Sequence, residues 1–555
     1  MRLTFVALSS QYIHLPLAPF CLKKAVEEAC PDCICTTCDV NINEPREDVL
    51  RRILQTKPTA VCFSVYIWNR EMTALMIRRI KAVKPEITVL MGGPEVTWDV
   101  EHALQEMPAD YLLRGAGEES LPRLVQHLMT GQDDPAAIPG VCFKTAEGFH
   151  IGEVAPTPPP RSDLYDEDWQ QILNGRMVYA ETSRGCPFSC AFCLSGHREA
   201  VQFMPAEEAI ALLIRLGQTG TDTVKLIDRT FNCHPHRTKT ILRGLMEAKA
   251  AGQIGKVCYH MEVAADIFDE ETLCLLREAP AGLFQMEAGL QSFHGPTLDA
   301  CHRHTDMDKL QRNLGRILAG GNIHLHIDLI AGLPEEDFAT FGNSFDKAFL
   351  LHPHQLQLGY LKVIHGSALR DGSWGARFSP DPPYEILSTP WLSYEELVRL
   401  KDCAEAVEKI SNSGRFARTV TCVLKATGWR PFDLFLAWGD RLGETQGKWS
   451  LDRLTRMVYD TALGWGVPEG ALRDALVQDR LATDNTGYLP PFLQGDGAAL
   501  KQAGRNWRLA HPAHRHPRMG LSADGKTLFI ATWQEKHPVT AQGALQCLPI
   551  EEELL

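Results

Sequence analysis

The stretch GRMVYAETSRGCPFSCAFCLSG, residues 175–196, opens on an apolar run and closes on a loop with three cysteines, Cys186, Cys190 and Cys193, spaced x3 then x2. MVYAET reads as a strand, so the cysteines fall in the loop at its carboxyl end. Five further strand-like runs follow, with helix-like segments between them: TVKLIDRTF, KVCYHMEV, LFQMEAGLQS, IHLHIDLIAGLP and QLQLGYLKVI. Six strands in such alternation predict a partial parallel (β/α)6 barrel over residues 176–375, with its chemistry at the carboxyl strand ends. Thiolates in this rhythm suit iron, and three of them leave one iron of a four-iron cluster open to a small molecule. The same logic separates a catalytic from a structural zinc site. A zinc knuckle or unrelated loop cysteines are the plainer readings of the same residues.

Upstream, LTFVAL, PTAVCFSVY and EITVLMGGPE are strands, and NREMTALMIRRIKAVKP between the last two is a helix that stops at Pro85. This pattern predicts an α/β, doubly wound parallel sheet over residues 1–135. Residues 136–175 are poor in pattern and include APTPPPRSD, which reads as a proline-stiffened linker. From 376 to 555 the chain turns to helices dotted with Trp and Pro, with a hairpin expected at Asp524-Gly525.

The chain has 555 residues, 45% of them hydrophobic, and a net charge of -13, which argues against a nucleic-acid groove as its main surface. MRLTFVALSS reads as a core strand rather than a signal peptide, and no apolar run reaches the ~18–20 residues of a membrane span. Seventeen cysteines without secretory features fit a reducing cytoplasm. CPDCICTTC places Cys30, Cys33, Cys35 and Cys38 within nine residues, which invites a zinc assignment. Read as a strand, however, the segment puts Cys33 and Cys35 on one face and Cys38 on the other, so buried free cysteines are the alternative.

Cys186, Cys190, the aromatic Phe192 and Cys193 together resemble the signature of the radical S-adenosylmethionine (SAM) superfamily. The resemblance implies a [4Fe-4S] cluster on the three cysteines, SAM chelated at the open iron, and reductive cleavage of SAM to a 5'-deoxyadenosyl radical. An electron donor of the flavodoxin or ferredoxin class is implied with it. The resemblance also implies a SAM site drawn from Phe192 and from residues closing successive strands: Asp228, Glu262, Glu287 with Gln291 and Ser292, and Asp328. HIDLIAGLPEED resembles the family's fifth-strand element. Each acid has a plainer reading as a solvated loop charge or a structural ion pair.

A doubly wound domain ahead of such a barrel is similar to the cobalamin-binding subfamily, and the C-terminal region resembles an uncharacterised domain found in some members. Cobalamin is then expected at the carboxyl ends of the first sheet, on loops holding His14, Ser64, Tyr66, Trp68, Gly92, Gly93, Gly115 and Gly117. The cobalt-ligating Asp-x-His-x-x-Gly loop of better-known modules is missing. His14 stands in the corresponding loop, either as a cobalt ligand or as a histidine bonded to backbone.

The implied function is hydrogen abstraction followed by methyl transfer from methylcobalamin to an unactivated carbon of a small molecule, lipid or peptide. A cobalamin-dependent rearrangement or ring formation without methylation is the enzymatic alternative, and a redox or cobalamin sensor is the alternative of another class. The C-terminal domain is expected to cover the barrel mouth, with Trp391, Tyr394, Asn412 and Arg415 reaching toward substrate. His324, His326 and Asp328 alternate onto one strand face, where a base near the radical site is expected.

Overall fold

From Leu3 to Ser9 every residue is buried, which is how a strand covered on both faces reads, and in the computed structural model this run is β1 (Arg2–Ser9). The structure describes residues 1–164, 173, 175–197, 200–444, 447–514 and 516–550. The chain divides into two compact units, the first made of Met1–Gln285, Asp299–Thr305 and Tyr360–Pro390, the second of Met286–Leu298, Asp306–Gly359 and Trp391–Leu555.

In the first unit β1 pairs in parallel with β2 (Ile34–Asn41) and β3 (Ala60–Ser64), and β4 (Thr88–Gly92) and β5 (Tyr111–Leu113) continue the parallel run. Two apolar cores lie on its two faces. One gathers Val49 and Ile53, Ile77 and Ile80, and Ala103 from helices Arg46–Gln55, Arg70–Val83 and Val100–Glu106. The other takes Val26, Leu121 and Val125 from helices Ala18–Ala29 and Gly117–Thr130. This is the doubly wound arrangement expected. Helix Arg70–Val83 ends one residue short of Lys84, which precedes Pro85 and is disfavoured in the α region.

The expected linker needs correction. Within it, β6 (Val141–Thr145) and β7 (Gly148–Ile151) form an antiparallel hairpin that pairs with β5, giving a seven-stranded sheet in the order β2-β1-β3-β4-β5-β6-β7. The three-residue β5 would otherwise end the sheet with open N–H and C=O groups, and the hairpin covers them. The first sheet therefore runs past residue 135, to Ile151. Residues 165–172 and 174 of the expected linker lie outside the described residues.

All six expected strands of the second sheet are present. The first unit holds β8 (Val178–Ala180), the short antiparallel pair β9 (Ser183–Arg184) and β10 (Gln202–Phe203), then β11 (Thr223–Leu226) and β12 (Cys258–Val263). There β11 lies between β8 and β12, parallel to both. The boundary between units passes inside β13 (Phe284–Gln291), and the second unit carries β14 (His324–Ala331) and most of β15 (Gln355–Tyr360). The sheet order runs β8-β11-β12-β13-β14-β15, with helices in the crossovers. In β13 burial alternates strictly, so Glu287 and Gln291 share the face opposite the buried Met286, Ala288 and Leu290.

Beyond the barrel strands, the first unit adds the pair β16 (Arg377–Phe378) and β17 (Ile386–Ser388). Among the described residues the second unit continues through six α-helices between Tyr394 and Ala510. The first of them opens on a capping box in which Ser393 and Glu396 bond each other's backbone N–H. The expected hairpin at Asp524-Gly525 joins β18 (Arg518–Leu521) to β19 (Thr527–Thr532), and β20 (Ala544–Pro549) adds a third antiparallel strand.

The C-terminal segment does not reach the barrel helices by a loose edge. Phe432 lies on helix Pro431–Gly443, and its ring centroid is 5.4 Å from that of Phe338 and 5.5 Å from that of Phe345. Phe435 stands 5.8 Å from Phe345, and Arg430 donates to Asp346. Asn412 both accepts from the Leu356 N–H and donates to its C=O, each at 3.0 Å. Its amide continues β15 sideways, so Asn412 is a brace rather than a residue aimed at substrate. Tyr394 is exposed, in the first turn of its helix.

Candidate active site

The cysteine loop follows β8 and β9 in the first unit. Gly185 at φ +91° makes the turn that a residue with a Cβ rarely adopts, immediately before Cys186. Cys190 is buried, while Cys186 and Cys193 are half-buried. Each sulfur has a polar neighbour: Thr230 Oγ1 lies 3.5 Å from Cys186, the Ser195 N–H donates to Cys193 at 3.4 Å, and Arg303 Nη1 donates to Cys190 at 3.5 Å. Burial pushes the Cys190 thiol up, the Arg303 guanidinium opposes it, and Cys193 and Cys186 add to the rise, as neighbouring thiols do. Backbone bonds from Ala191 N to Cys301 O (2.9 Å) and from Leu369 N to Ala191 O (3.1 Å) fix the loop's middle. Phe192 stands half-buried between the last two cysteines.

Asp228 is fully buried. Its Oδ1 accepts from the Thr182 N–H at 2.6 Å, and its Oδ2 accepts from the hydroxyls of Thr182 at 2.5 Å and Ser183 at 2.8 Å. Burial raises its carboxyl, and these donors together with Arg237 pull the other way. Asp228 thus braces the chain two to three residues before the turn at Gly185, where the sequence led us to expect a SAM contact. Arg237 completes the brace by donating to the Thr182 C=O at 2.8 Å. Glu262 is half-buried at the end of β12, and its C=O accepts from Phe231 N at 2.9 Å.

A charged network ties this loop to the first sheet. Arg184 donates to Glu181 at 2.6 Å and pairs at 2.7 Å with Glu118, in the first turn of the helix that opens at Gly117. Burial works against the Arg184 charge, and the two carboxylates outweigh it, holding the guanidinium ionised. Burial raises Glu181 despite Arg184. His14 makes a second tie: its Nδ1 is 2.8 Å from the Tyr179 hydroxyl on β8, and its main chain bridges to Met177. Burial, with Lys225 and Arg176, depresses its imidazole, so His14 is neutral near pH 7. Arg176 donates to Asp39 at 2.6 Å and lies over Tyr12.

At the carboxyl ends of the first sheet, Ser64 ends β3, and its C=O accepts from Asn69, which also bonds the Tyr66 N–H. Tyr66 and Trp68 stack at 4.4 Å and 8°, Trp68 half-exposed, and burial holds the Tyr66 phenol well above its usual value. The glycines have reasons within the chain. A Cβ on Gly93, at φ +115°, would stand 2.5 Å from Val65 O, and one on Gly115, at φ +92°, would stand 2.7 Å from Ala155 O. Added Cβ atoms on Gly92 and Gly117 meet Leu113 O at 3.0 Å and Leu22 at 2.8 Å. Close approach of the chain to itself at positive φ requires glycine at Gly93 and Gly115, whereas at Gly117 the neighbour is the tip of the Leu22 side chain.

In the second unit Glu287 and His326 bring a carboxylate oxygen and a ring nitrogen within 4.8 Å of each other. Alternation along β14 puts His324, His326 and Asp328 on the same face, and the His324 ring packs 5.0 Å from His354. Gln291, at φ +74°, ends β13 with its Oε1 buried and without a hydrogen-bond partner. Ser292 is fully buried: its hydroxyl donates to Glu336 Oε1 at 2.6 Å and accepts from the His294 N–H at 2.9 Å. Ser344 donates to the same oxygen at 3.0 Å. Burial pushes the Glu336 carboxyl up to about 7 against these two donors. Ser292 is therefore a structural pivot, and Glu336, in the GLPEE element, is its unforeseen partner.

The sequence reading missed Thr230, Arg303, Glu118 and Glu336. Arg303 lies inside CHRHTD between two histidines, and Glu118 follows Gly115 and Gly117, which were read as part of the cobalamin loop.

Three family models match the chain: the B12 binding domain over residues 3–125, the radical SAM superfamily over residues 180–348, and a protein of unknown function (DUF4080) over residues 372–507. The chain is 27% identical over 302 residues to 2-(S-pantetheinyl)-carbapenam-3-carboxylate methyltransferase of Streptantibioticus cattleyicolor, covering 52% of this chain and 44% of that one. It is 24% identical over 328 residues to the anaerobic magnesium-protoporphyrin IX monomethyl ester cyclase of Rubrivivax gelatinosus, covering 56% and 58%. The chain spans about half the length of the curated relatives it matches. Its fold is similar to that of the cobalamin-dependent S-adenosylmethionine radical enzyme OxsB, solved with aqua-cobalamin and S-adenosylmethionine bound. That match has a TM-score of 0.59 at 12% identity and covers 88% of this chain and 81% of that one.

Proposed function

The chain is a radical SAM protein with a B12-binding domain ahead of the barrel and a domain of unknown function behind it, and from that premise we propose that it is a cobalamin-dependent methyltransferase. Its substrate is an unactivated carbon of a small molecule, lipid or peptide. When bound, a [4Fe-4S] cluster with SAM supplies a hydrogen-abstracting radical, and cobalamin supplies a transferable methyl group.

Cys186, Cys190 and Cys193 would hold the cluster, and their surroundings suit it: three soft donors on one loop, with a guanidinium, a hydroxyl and a backbone N–H directed at the sulfurs. Phe192 packs within that loop. Glu262, in the same unit as the cysteine loop, is the polar group we assign to SAM. In the second unit the buried, partnerless Oε1 of Gln291 marks a position of its own that a donor would satisfy, since such an atom costs free energy until one reaches it. Asp228 and Ser292 act through the segments they brace.

For cobalamin, the stacked Tyr66 and Trp68 offer an aromatic wall at the end of β3, beside Ser64. His14 keeps its Nδ1 on Tyr179 and serves as a tie rather than a cobalt ligand. The observation that carries the reading is this joining of the cysteine loop to the sheet's carboxyl end, inside one unit, through Arg184–Glu118 and His14–Tyr179.

Among the described residues no helix is long and apolar enough to cross a membrane. A reducing cytoplasm and a flavodoxin- or ferredoxin-class electron donor complete the proposal, and the net charge of -13 speaks against nucleic acid as the substrate. The functional regions are then the first sheet through Ile151, the barrel strands β8 to β15, and the helical region after Pro390.

The test is anaerobic reconstitution with iron, sulfide and hydroxocobalamin, followed by SAM and a reductant. Both 5'-deoxyadenosine and S-adenosylhomocysteine are expected among the products. Because one similar protein is a cyclase, 5'-deoxyadenosine without S-adenosylhomocysteine would replace methyl transfer by ring formation. Absence of both would remove the enzyme reading.

A further inference from the structure

The last barrel strand, β15, ends at Tyr360, and the next thirty residues do not pass straight into the C-terminal helices. Residues 361–390 stay in the first unit, and the match to the domain of unknown function begins inside them, at residue 372. They fold back on themselves as a strap: Val363 N donates to Tyr384 O and Ile386 N to Leu361 O, each at 2.9 Å, and β16 pairs with β17. The strap makes two attachments. One is to the cysteine loop, where Leu369 N donates to Ala191 O at 3.1 Å and the Trp374 indole N–H holds the Leu369 C=O at 2.9 Å.

The other attachment is to the carboxyl end of the first sheet. Gly366, at φ +83°, passes so close to Trp98 that a Cβ there would lie 2.2 Å from its ring. Tyr384 donates its hydroxyl to Glu95 Oε1, just beyond the Gly92-Gly93 turn of β4, and accepts from Arg70 Nη1 at 3.2 Å. Arg70 opens the helix that follows β3, and it donates to Glu95 at 3.0 Å. All three side chains are buried, at 2% exposure for Tyr384, 2% for Arg70 and 4% for Glu95, so each bond is made out of water. Burial, with the Glu95 charge, holds the Tyr384 phenol well above its usual value, which keeps the hydroxyl a donor.

The strap also grips the ring. Arg370, next to Leu369, lies over Tyr384 at 4.6 Å, and the His365 ring meets it edge-on at 4.9 Å. Tyr384 sits at φ +56°, a strained backbone that persists where the surroundings fix it, and here hydroxyl, ring and C=O are all held. On the sheet side, Asn69 immediately before Arg70 bonds the Ser64 C=O and the Tyr66 N–H, and Glu95 N donates to Val65 O at 3.4 Å. The Tyr384 clasp therefore bears on both strand exits that flank the aromatic wall.

We propose that Tyr384 is a positioning residue for cobalamin: through Glu95 and Arg70 it sets the stance of the β3 and β4 exits, and the strap fixes that stance to the cysteine loop. Residues 372–390, where the match to the domain of unknown function begins, thereby act in the first unit. The proposal rests on the cobalamin reading of these loops.

The experiment uses the full-length protein. Tyr384→Phe keeps the ring and its contacts and removes only the hydroxyl. In an absorption titration with hydroxocobalamin the variant should bind about tenfold more weakly than the wild type, the scale of one buried hydrogen bond to a charged group. The visible circular dichroism of the bound corrin should change in shape, and iron content after reconstitution should stay at the wild-type level. Glu95→Gln should weaken binding as well, and the double variant should be no weaker than the weaker single, because both break one clasp. Additive losses, or loss of iron together with affinity, would overturn the positioning role. Equal affinity and an unchanged corrin spectrum in Tyr384→Phe would overturn it while leaving the cobalamin reading in place. A wild type that does not bind hydroxocobalamin would remove that reading and the proposal with it.

Discussion

Arg303 illustrates how one side chain sets the property of a site. Its guanidinium donates to the Cys190 sulfur, and positive hydrogen-bond donors to cluster thiolates favour the reduced state. Arg303→Gln should lower the cluster's midpoint potential by tens of millivolts in an EPR-monitored titration, and an unmoved potential would detach Arg303 from the cluster. His14→Ala should leave the cobalt(II) EPR signal of the loaded protein as it is if His14 serves as a tie to Tyr179; a changed axial-ligand pattern would make His14 a ligand through Nε2. Glu336 gives a pH effect with a defined sign. Its folded carboxyl titrates near 7, above its ordinary value of 4.5, so the folded state binds the proton more tightly. Stability should therefore fall as pH rises from about 4.5 to about 7 and level off above, by roughly 3 kcal/mol at most. In Glu336→Gln that slope should shrink in chemical denaturation at pH 5, 6 and 7.

At the scale of elements, the strands with strong apolar runs were legible because burial on both faces leaves no other reading, as in β1 and β3. The β6–β7 hairpin was not. Its segment GVCFKTAEGFHI sits beside prolines and reads as linker, and only the open edge of the three-residue β5 explains why it orders. The cysteine loop was legible by spacing alone, whereas two of the polar groups at its sulfurs, Thr230 and Arg303, come from segments 44 and 113 residues away in sequence, which no local pattern encodes. The aromatic packing of helix Pro431–Gly443 on helix Phe338–Leu350 was likewise invisible, since a Phe at helical spacing does not name its partner. Phe432 is buried among Phe338, Phe341 and Phe345, so Phe432→Ala should cost about 3–5 kcal/mol of stability in a thermal or denaturant melt. A loss below 1 kcal/mol would show that the C-terminal helices are not fastened to the barrel helix there.

For the whole molecule, the account places the cluster loop and the cobalamin loops in a single unit, joined by a half-buried ion pair and a histidine–tyrosine bond. Everything proposed about methyl transfer depends on the three thiols acting as one site. The direct measurement is iron content, visible absorption and 5'-deoxyadenosine yield of the anaerobically reconstituted protein beside its Cys186→Ala/Cys190→Ala/Cys193→Ala variant. The account predicts about four irons, a broad brown absorbance and SAM cleavage in the first, and none of the three in the variant, which should still bind hydroxocobalamin. A variant that keeps its iron and still releases 5'-deoxyadenosine would contradict it.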